Sequence, residues 1–456
     1  MPLTIGKIKI IIIGFLAMLA VYQTSRLWFD DSLGHNFFYR LTDASEDQVD
    51  EGIYKSFTYP YRVVTSFGGN RFVMSYADMK SDKTRILGDE ILLMGLKNGE
   101  FVSQSTIDWN TILSFRSVIY EYSFSMPVDL FTQNFPKRTE LLSQGFTEFD
   151  TVVLSADPFS SNLMRLYFIN REKDVSVEIN VKSVDLCDSL KFNIQDTQKA
   201  FSDNDIYYVS TRLLHLNTPD NQFIPRWREE GYSYMAVDIT TTYHDEEFDK
   251  SRIRANLMSF FDNPSAVWDS SGEIISSSDE NVVVRYMDND VLEYTNYGAD
   301  MSDRDTNLTD DYVAALKFIQ ERDLLLENQL YFAGSEEAGE YRYLHFNYIA
   351  GEFPVMFTDQ LLSDMGDLEY GITVTFRNGN IINYKRLAYT FTLNETRLER
   401  AMEDYLGLME AYNLDVSAIY DISFGYYADV LDHTDTEQFI RLAIELMVGG
   451  QRWALT

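Results

Sequence analysis

The chain has 456 residues, of which 71 are acidic and 38 are basic, and its formal net charge is −33. This charge excludes a nucleic-acid partner, whose phosphates would be repelled, and it disfavours docking onto anionic lipids or wall polymers unless divalent cations bridge them. A chain of this length is too long for one hydrophobic core, so we expect about two to four domains.

The first predicted element is an apolar helix near the N-terminus. An uninterrupted apolar run covers Ile10–Tyr22, and tolerant residues extend it to the aromatic pair Trp28-Phe29. This length suits a helix that spans a bilayer with Trp28 at the interface. Lys7 and Lys9 precede the run, so the positive-inside rule places the N-terminus in the cytoplasm. We therefore expect a single-pass cell-membrane protein with interfacial anchors Lys7, Lys9 and Trp28 and an extracytoplasmic bulk.

Two other interpretations of this segment stay open. A short apolar core behind lysines is also typical of a cleaved signal peptide. Cleavage needs small residues at two bracketing positions, and Tyr22 occupies the second of them in Ala20-Val21-Tyr22. The segment could also be a buried core helix, but such a helix would carry a polar stripe, and none interrupts Ile10–Tyr22.

One side of the predicted helix is lined by small residues. Gly14, Ala17, Ala20 and Thr24 fall within one third of its circumference. Small side chains let two membrane helices approach closely, and the threonine can hydrogen-bond across the contact. Alanine and glycine are common in any membrane helix, which is the alternative explanation. We predict that this face packs against a partner helix.

Most of the remaining chain is predicted to form strands joined by short turns. Four pairs of strand-like runs flank turn sequences, and two of these turns are Asn-Gly, which tolerates the positive φ of a type I′ turn. The predicted hairpins are Tyr61–Ser66 with Arg71–Tyr76, Ile91–Leu96 with Phe101–Ser105, Val282–Met287 with Val291–Tyr294, and Ile372–Arg377 with Asn380–Tyr384. Phe57–Tyr59 and Leu166–Ile169 are further strand candidates. Loops or connectors are predicted at Asp269–Asn281, Ala299–Asn307 and Gly334–Glu340.

Three helices are predicted in the second half of the chain. The first runs from its expected N-cap Thr309 through Gln320, with two aspartates in its first turn. The second covers about Asn394 to Tyr412. The third covers about Thr436 to Val448 and stops at Gly449-Gly450, a C-cap signal. The predicted fold class is therefore α+β: antiparallel sheets with helices packed on one face.

The sequence carries no recognisable catalytic motif. It has no Gly-x-Ser-x-Gly elbow, no glycine-rich phosphate loop and no His-Glu-x-x-His pair. No two of its five histidines share metal-ligand spacing, and a solvated acidic turn explains the acidic neighbours of His244 better than a metal site does. The stretch Asp303–Asn307 begins like a calcium loop but lacks the glycine and the glutamate that must follow. We expect no catalytic site, no cofactor and no metal, and the single Cys187 excludes an intramolecular disulfide.

Several hydrophobic stretches follow one another in a distinctive order. They are the anchor with Val21–Phe29, then Leu257–Val267 followed by Val283–Tyr297, then Gly351–Phe357 ahead of the Asn378-Gly379 hairpin that ends at Arg386, and finally Ile422–Tyr427. This order and the chain length resemble the YycH (WalH) family. Members of that family are membrane-anchored accessory proteins of an essential cell-wall-sensing two-component system in low-GC Gram-positive bacteria.

The resemblance implies a domain order and a function. It implies an anchor, which we place at residues 1–29, followed by an N-terminal domain at residues 30–200. Two related α+β domains follow at residues 201–305 and 306–456, and the last of them is YycI-like. It implies a non-enzymatic regulator that contacts a YycG-like (WalK-like) sensor histidine kinase and a YycI-like companion, partly through membrane helices. The alternative is an anchored envelope protein that binds a ligand or processes wall polymer, since so acidic a chain offers many carboxylate pairs.

Overall fold

The computed structural model describes residues 59–76, 83–133, 146–201, 206–226, 232–241, 250–262, 267–271, 274–287, 289–299, 306–364, 366, 368–400, 409, 414–428, 439–448 and 451–455. Antiparallel sheets dominate these residues and a few helices accompany them, which confirms the predicted mixture of sheets and helices. Within the same residues, none of the helices combines the length and the hydropathy of a membrane span.

The N-terminal half forms a nine-stranded antiparallel sheet. Its strands are β1 (Arg62–Ser66), β2 (Phe72–Tyr76), β3 (Glu100–Ser105), β4 (Ser117–Pro127), β5 (Glu148–Ala156), β6 (Leu163–Asn170), β7 (Val175–Lys182), β8 (Tyr207–Ser210) and β9 (Phe223–Arg226). Across the sheet the order is β3-β7-β6-β5-β4-β1-β2-β8-β9. Successive residues of β5 are buried although they point to opposite faces, so both faces of the sheet are covered there.

The described residues of this half form four helices. They are α1 (Lys83–Asn98), α2 (Trp109–Ser114), α3 (Val128–Gln133) and α4 (Val184–Ala200). Helix α4 begins after Ser183, whose hydroxyl accepts the N–H of Leu186 as an N-cap. Helix α1 approaches the sheet closely at Gly88, where an added Cβ would lie only 1.8 Å from the hydroxyl of Tyr120. Only glycine fits that contact without a shift of the helix or of the Tyr120 ring.

The second half forms a fourteen-stranded sheet. Its strands are β10 (Tyr232–Thr241), β11 (Val267–Ser271), β12 (Ile274–Ser278), β13 (Val282–Met287), β14 (Val291–Asn296), β15 (Gln329–Ala338), β16 (Tyr341–Ala350), β17 (Phe353–Phe357), β18 (Ile372–Arg377), β19 (Asn380–Leu387), β20 (Tyr389–Arg400), β21 (Ile419–Ala428), β22 (Phe439–Val448) and β23 (Gln451–Leu455). The order is β11-β12-β13-β14-β19-β18-β16-β17-β21-β22-β10-β20, with β15 beside β16 and β23 beside β22. The parallel pairing of β17 with β21 joins the two parts of this sheet.

Strands of each sheet lie on both sides of the predicted domain boundaries. Strand β8 pairs with β2 across residue 200, and β14 pairs with β19 across residue 305. The division at residues 200 and 305 stays a prediction.

The second half also contains α5 (Lys250–Ser259), α6 (Leu308–Arg322), α7 (Asp359–Asp364) and a 3₁₀ turn at Val416–Ala418. Helix α6 confirms the helix predicted from Thr309 to Gln320, but its cap is different. The side chain of Asn307 accepts the N–H of Asp310, and Thr309 is buried inside the helix. The cap lies two residues earlier because asparagine is at least as good an N-cap as threonine.

Three predicted hairpins are confirmed. Strand β1 pairs with β2, β13 pairs with β14, and β18 pairs with β19, all antiparallel. At the last of these turns Asn378 has φ 49° and Gly379 has φ 71°, the two positive angles that a type I′ turn needs. Leu166–Ile169 lies within β6, as predicted.

The hairpin predicted at Asn98-Gly99 is wrong. Ile91–Leu96 belongs to helix α1, and only its predicted partner, within β3, is a strand. The buried residues Ile91, Leu92 and Leu96 follow the one-face spacing of a helix. The N–H of Gly99 bonds to the carbonyl of Gly95 at 2.8 Å, so Asn98-Gly99 ends a helix here and does not turn a hairpin.

Two predicted helices are strands over part of their length, whereas Met409, within the helix predicted from Asn394 to Tyr412, is helical. Residues 394–400 belong to β20, which pairs with β10, and residues 439–448 form β22, which pairs with β21 and β23. In the sequence of β22, Leu442, Ile444, Leu446 and Val448 occupy every second position, which is the period of a strand. Residues 401–408, 410–413, 436–438 and 449–450 lie outside the described residues.

Two predicted loops also contain strands. Strand β12 and the end of β11 lie within Asp269–Asn281, and β15 extends into Gly334–Glu340 as far as Ala338. Serine and acidic residues there occupy paired strands, because sheet pairing overrides weak local preference. Residues 57–58 and 300–305 lie outside the described residues.

Candidate functional site: the charged junction between the two sheets

The predicted membrane face and anchors lie outside the described residues. This holds for all seven residues named in the sequence analysis, which are Lys7, Lys9, Gly14, Ala17, Ala20, Thr24 and Trp28. The partner-packing face therefore stays a prediction. The described residues point instead to a junction where the nine-stranded sheet meets the fourteen-stranded sheet.

The junction has an aromatic part. Buried apolar side chains from both sheets belong to one connected core. The ring centroids of Tyr61 and Tyr331 are 4.6 Å apart, and those of Phe124 and Phe332 are 4.8 Å apart in an edge-to-face arrangement. The hydroxyl of Ser123 donates to the carbonyl of Phe332. Residues just before β1 and along β4 thus pack directly against β15.

The charged part of the junction begins with Arg62 and Glu121. The two residues lie opposite each other on β1 and β4, and each is 3% exposed. The Arg62 Nε lies 2.5 Å from Glu121 Oε2. Burial lowers the pKa of Arg62, but Glu121 and Asp421 raise that pKa by more, so the guanidinium stays charged. The short contact lets two buried charges compensate each other.

Arg62 also reaches the second sheet. Its Nη1 donates to the carbonyl of Ile422 at 3.5 Å, and its Nη2 lies 3.7 Å from a carboxylate oxygen of Asp421. Both partners belong to β21. One side chain on the first described strand therefore contacts both sheets.

A second arginine, Arg171, lies near three carboxylates of the junction. The Arg171 Nε lies 2.6 Å from Asp150 and 3.5 Å from Asp220, and its Nη1 lies 3.8 Å from Glu121. Burial lowers the pKa of Arg171, and the carboxylates of Asp150, Glu121 and Asp220 raise it to a net value above the ordinary one. Arg62 and Arg171 thus share Glu121.

Asp220 ends the chain of charges. Its Oδ1 accepts the indole N–H of Trp109 at 2.9 Å. Burial raises the pKa of Asp220 to about 6, although Arg171 acts in the opposite direction. Two residues further on, Gln222 Nε2 donates to the carbonyl of Tyr420 on β21 at 2.6 Å. The connection between β8 and β9 therefore contacts both sheets as well.

A separate buried charge pair lies in the second half. The Arg386 guanidinium donates to both oxygens of Asp323, and the two residues are 1% and 4% exposed. The same carboxylate accepts the Tyr384 hydroxyl at 2.8 Å and the Asn256 amide at 3.2 Å. The backbone N–H of Leu325 is a fifth donor, so this carboxylate is fully engaged in holding α5, the end of α6 and β19 together.

His345 is the third buried titratable group of interest. Its ring stacks on Tyr370 with centroids 4.1 Å apart, and its Nδ1 lies 3.2 Å from the Thr373 hydroxyl. Burial lowers the pKa of His345 to about 4, so the ring is neutral near pH 7. A neutral, stacked imidazole in this position contributes to packing.

These groups suit electrostatic coupling between the sheets. The carboxylates of the junction are held by arginines, and within the described ranges no three His, Cys, Asp or Glu side chains are grouped to hold a metal ion. His244 and the stretch Asp303–Asp305 lie outside those ranges, and Cys187 is buried and free. The arrangement can transmit a displacement of β1 to β21 through Arg62.

No motif in the sequence predicts the junction residues. The signal that could have found them is a charge inside an apolar run: Glu121 interrupts a run of mostly apolar and aromatic residues in β4, and Arg62 precedes two valines in β1. Charged side chains are almost never fully buried unless they are paired. The partner of each charge is distant in sequence, so no local pattern identifies it.

Comparison with known proteins reveals similarity in fold. The crystal structure of YycH from Bacillus subtilis matches with a TM-score of 0.53 and 13% sequence identity, over 87% of this chain and 95% of that chain. An uncharacterized protein from Eubacterium rectale ATCC 33656 matches with a TM-score of 0.33 and 12% identity, over 52% of this chain and 86% of that chain. No protein-family model and no curated protein sequence matches the chain. The chain has a YycH-like fold.

Proposed function

We propose that the chain is a membrane-anchored extracytoplasmic accessory protein that regulates a cell-wall-sensing histidine kinase by direct contact. The observation that carries this proposal is the likeness to the YycH crystal structure over most of both chains. The apolar N-terminal run behind Lys7 and Lys9 supports the anchored topology. The partners would be a YycG-like kinase and a YycI-like companion.

The mechanism we propose is a population shift. A protein that contacts one signalling state of the kinase more favourably than the other biases the kinase by that difference in affinity. We propose that the bias passes between the kinase and the chain through the predicted anchor and strand β1. Arg62 on β1 contacts β21, so a displacement at the start of the body reaches the second sheet directly.

Crosslinking in living cells tests the proposal. The intact chain, with a photoreactive residue in its extracytoplasmic part, is crosslinked, purified under denaturing conditions and analysed for bound partners. We expect recovery of a membrane histidine kinase and a companion protein. Recovery of wall polymer without a kinase, together with turnover of purified polymer, would favour the polymer-processing alternative and overturn the proposal.

A further inference from the structure

The junction holds more carboxylates than it can pair. Within the part of the chain that the structure describes, the ion pairs of Glu121, Asp150, Asp220 and Asp421 are all with the guanidinium groups of Arg62 and Arg171. Four negative charges against two positive charges leave an excess of negative charge in a partly buried site. Like charges that share a site cannot all ionise freely, so one carboxyl is expected to keep its proton to a higher pH than the others.

Asp220 is the buried carboxylate of the junction whose charge the arginines compensate least. Glu121 and Asp150 each have an arginine nitrogen within 2.6 Å, whereas Asp220 lies 3.5 Å from Arg171. Asp421 is more weakly paired, at 3.7 Å, but its side chain is 43% exposed and can be solvated. Burial accordingly raises the pKa of Asp220 to about 6.

The position of Asp220 gives this surplus a structural consequence. Its side chain accepts from Trp109 on α2, and its carbonyl accepts the Thr218 hydroxyl at 2.7 Å. Two residues further on, Gln222 donates to Tyr420 on β21. The segment of residues 211–222 therefore ties the first sheet to the second, and Asp220 lies at its attachment to the first sheet.

We propose that this junction is an acid-strengthened latch, in which protonation of Asp220 removes surplus negative charge and tightens the 211–222 segment between α2 and β21. Asp220 contacts Arg171 from the β6–β7 turn and Trp109 from α2, and the charges of Asp150 from β5 and Glu121 from β4 act on it. Glu121 is paired in turn with Arg62 from β1, which reaches Asp421 from β21. On its own segment Arg212 donates to the carbonyl of Pro219. This device concerns the molecule alone, whether or not the chain contacts a kinase.

Hydrogen exchange of the purified full-length chain tests the latch. After correction for intrinsic exchange, amides of β21 and of the 211–222 segment should become about tenfold better protected when the pH falls from 7.5 to 5.0. This factor is the one expected if the Asp220 carboxyl has a pKa near 6 in the latched state and its ordinary pKa in the open state. In Asp220→Asn the protection should already be high at pH 7.5 and change by less than about twofold. The control Asp89→Asn removes another carboxyl of raised pKa, on α1, and should keep the response.

A second measurement does not need a variant of Asp220 to fold. The full-length chain is labelled with 5-fluorotryptophan, and the resonance of Trp109 is identified by its loss in Trp109→Phe. We expect this resonance to shift with a midpoint near pH 6. Any one of three results would overturn the proposal. They are unchanged protection of β21 in the wild type, an equal pH response in Asp220→Asn, and a Trp109 resonance that does not titrate between pH 7.5 and pH 5.0.

Discussion

Arg62 and Glu121 form a buried ion pair between two adjacent strands, and Arg62 is also the side chain that reaches β21 of the other sheet. The pair is 59 positions apart in sequence, and Arg62 is 360 positions from Ile422. Removing one partner of such a pair leaves the other charge buried with only its longer contacts, to Asp421 or to Arg171, whereas removing both charges leaves neither in that position.

The first prediction follows from this asymmetry. Arg62→Met alone and Glu121→Leu alone should each lower the free energy of unfolding by about 3–5 kcal/mol, and the double variant should recover most of that loss. Chemical denaturation of the three variants measures this. The exposed pair of Lys182 and Glu100 is the control, because its removal should cost less than about 1 kcal/mol. Equal losses in the single and double variants would mean that the pair is not compensated as described.

The second prediction concerns acid and His345. The pKa of this buried ring is lowered to about 4, so between pH 6.5 and 4 the unfolded chain binds a proton that the folded chain does not. Acid should therefore destabilise the fold through His345, by about 2 kcal/mol between pH 7 and pH 5.

His345→Phe keeps the stacking on Tyr370 and removes the titration. Its free energy of unfolding should fall less steeply with acid than that of the wild type, as measured by denaturation at both pH values. Carboxyls of raised pKa act in the opposite direction in both proteins, so the comparison is between the two slopes. Parallel slopes would mean that burial does not lower the pKa of His345 in the folded state.

The third prediction compares two turn glycines with positive φ. Gly379 has φ 71° and Gly339 has φ 65°. A Cβ on Gly379 would lie 2.5 Å from Thr306 Cγ2, whereas one on Gly339 would meet no heavy atom within 4 Å. Gly339→Ala should therefore cost about 1–2 kcal/mol from backbone strain alone. Gly379→Ala should cost at least about 1 kcal/mol more, because the contact with Thr306 must also give way.

Thermal and chemical unfolding of the two alanine variants measure that difference. Similar costs would mean that Thr306 does not pack against the β18–β19 turn. The comparison is well matched because each glycine lies in a two-residue turn between paired strands. Gly379 follows Asn378 in its turn, and Gly339 precedes Glu340 in its own.

The fourth prediction concerns the small-residue face of the predicted anchor. Gly14→Leu and Ala17→Leu should weaken recovery of a partner membrane helix in crosslinking, because close approach requires small side chains. Phe15→Leu, on the opposite side of a helix with 100° between residues, is the control and should leave the recovery unchanged. Equal recovery from all three variants would contradict a role for the small face.

Local signals in the sequence predicted the parts of the fold that local chemistry decides. Asn378-Gly379 was predictable as a turn because both residues tolerate the positive φ that the turn uses. Asn98-Gly99 has the same letters, yet it ends α1, because the preceding residues pack one helical face against the sheet. The dipeptide alone does not carry the difference; the spacing of Ile91, Leu92 and Leu96 does.

The error at β22 has a similar cause. Residues 439–448 are apolar enough to satisfy a helical stripe, and Gly449-Gly450 was interpreted as a helix stop. The same dipeptide between two strand-like runs also indicates a hairpin, and β22 pairs with β23 from Val448 to Gln451. Pairing with β21 and β23 decides the matter, and pairing is not written in local sequence.

The junction could not be predicted from local sequence. Its groups come from β1, β4, β5, the β6–β7 turn, the β8–β9 connection and β21, and only the tertiary fold brings Arg62, Arg171 and Asp220 together. What the sequence did contain was the anomaly of charges inside apolar strands. Such a charge predicts that a partner exists but not which residue it is.

The most direct test of the central claim is the autophosphorylation rate of the histidine kinase recovered by crosslinking, reconstituted in liposomes with and without the full-length chain. A contact regulator should change that rate at least about fivefold at saturation, in one direction, which is the size of a typical coupling between two binding events. The chain with residues 8–27 replaced by an unrelated membrane helix should produce a smaller change. A kinase that binds the chain yet keeps the same rate would contradict the account.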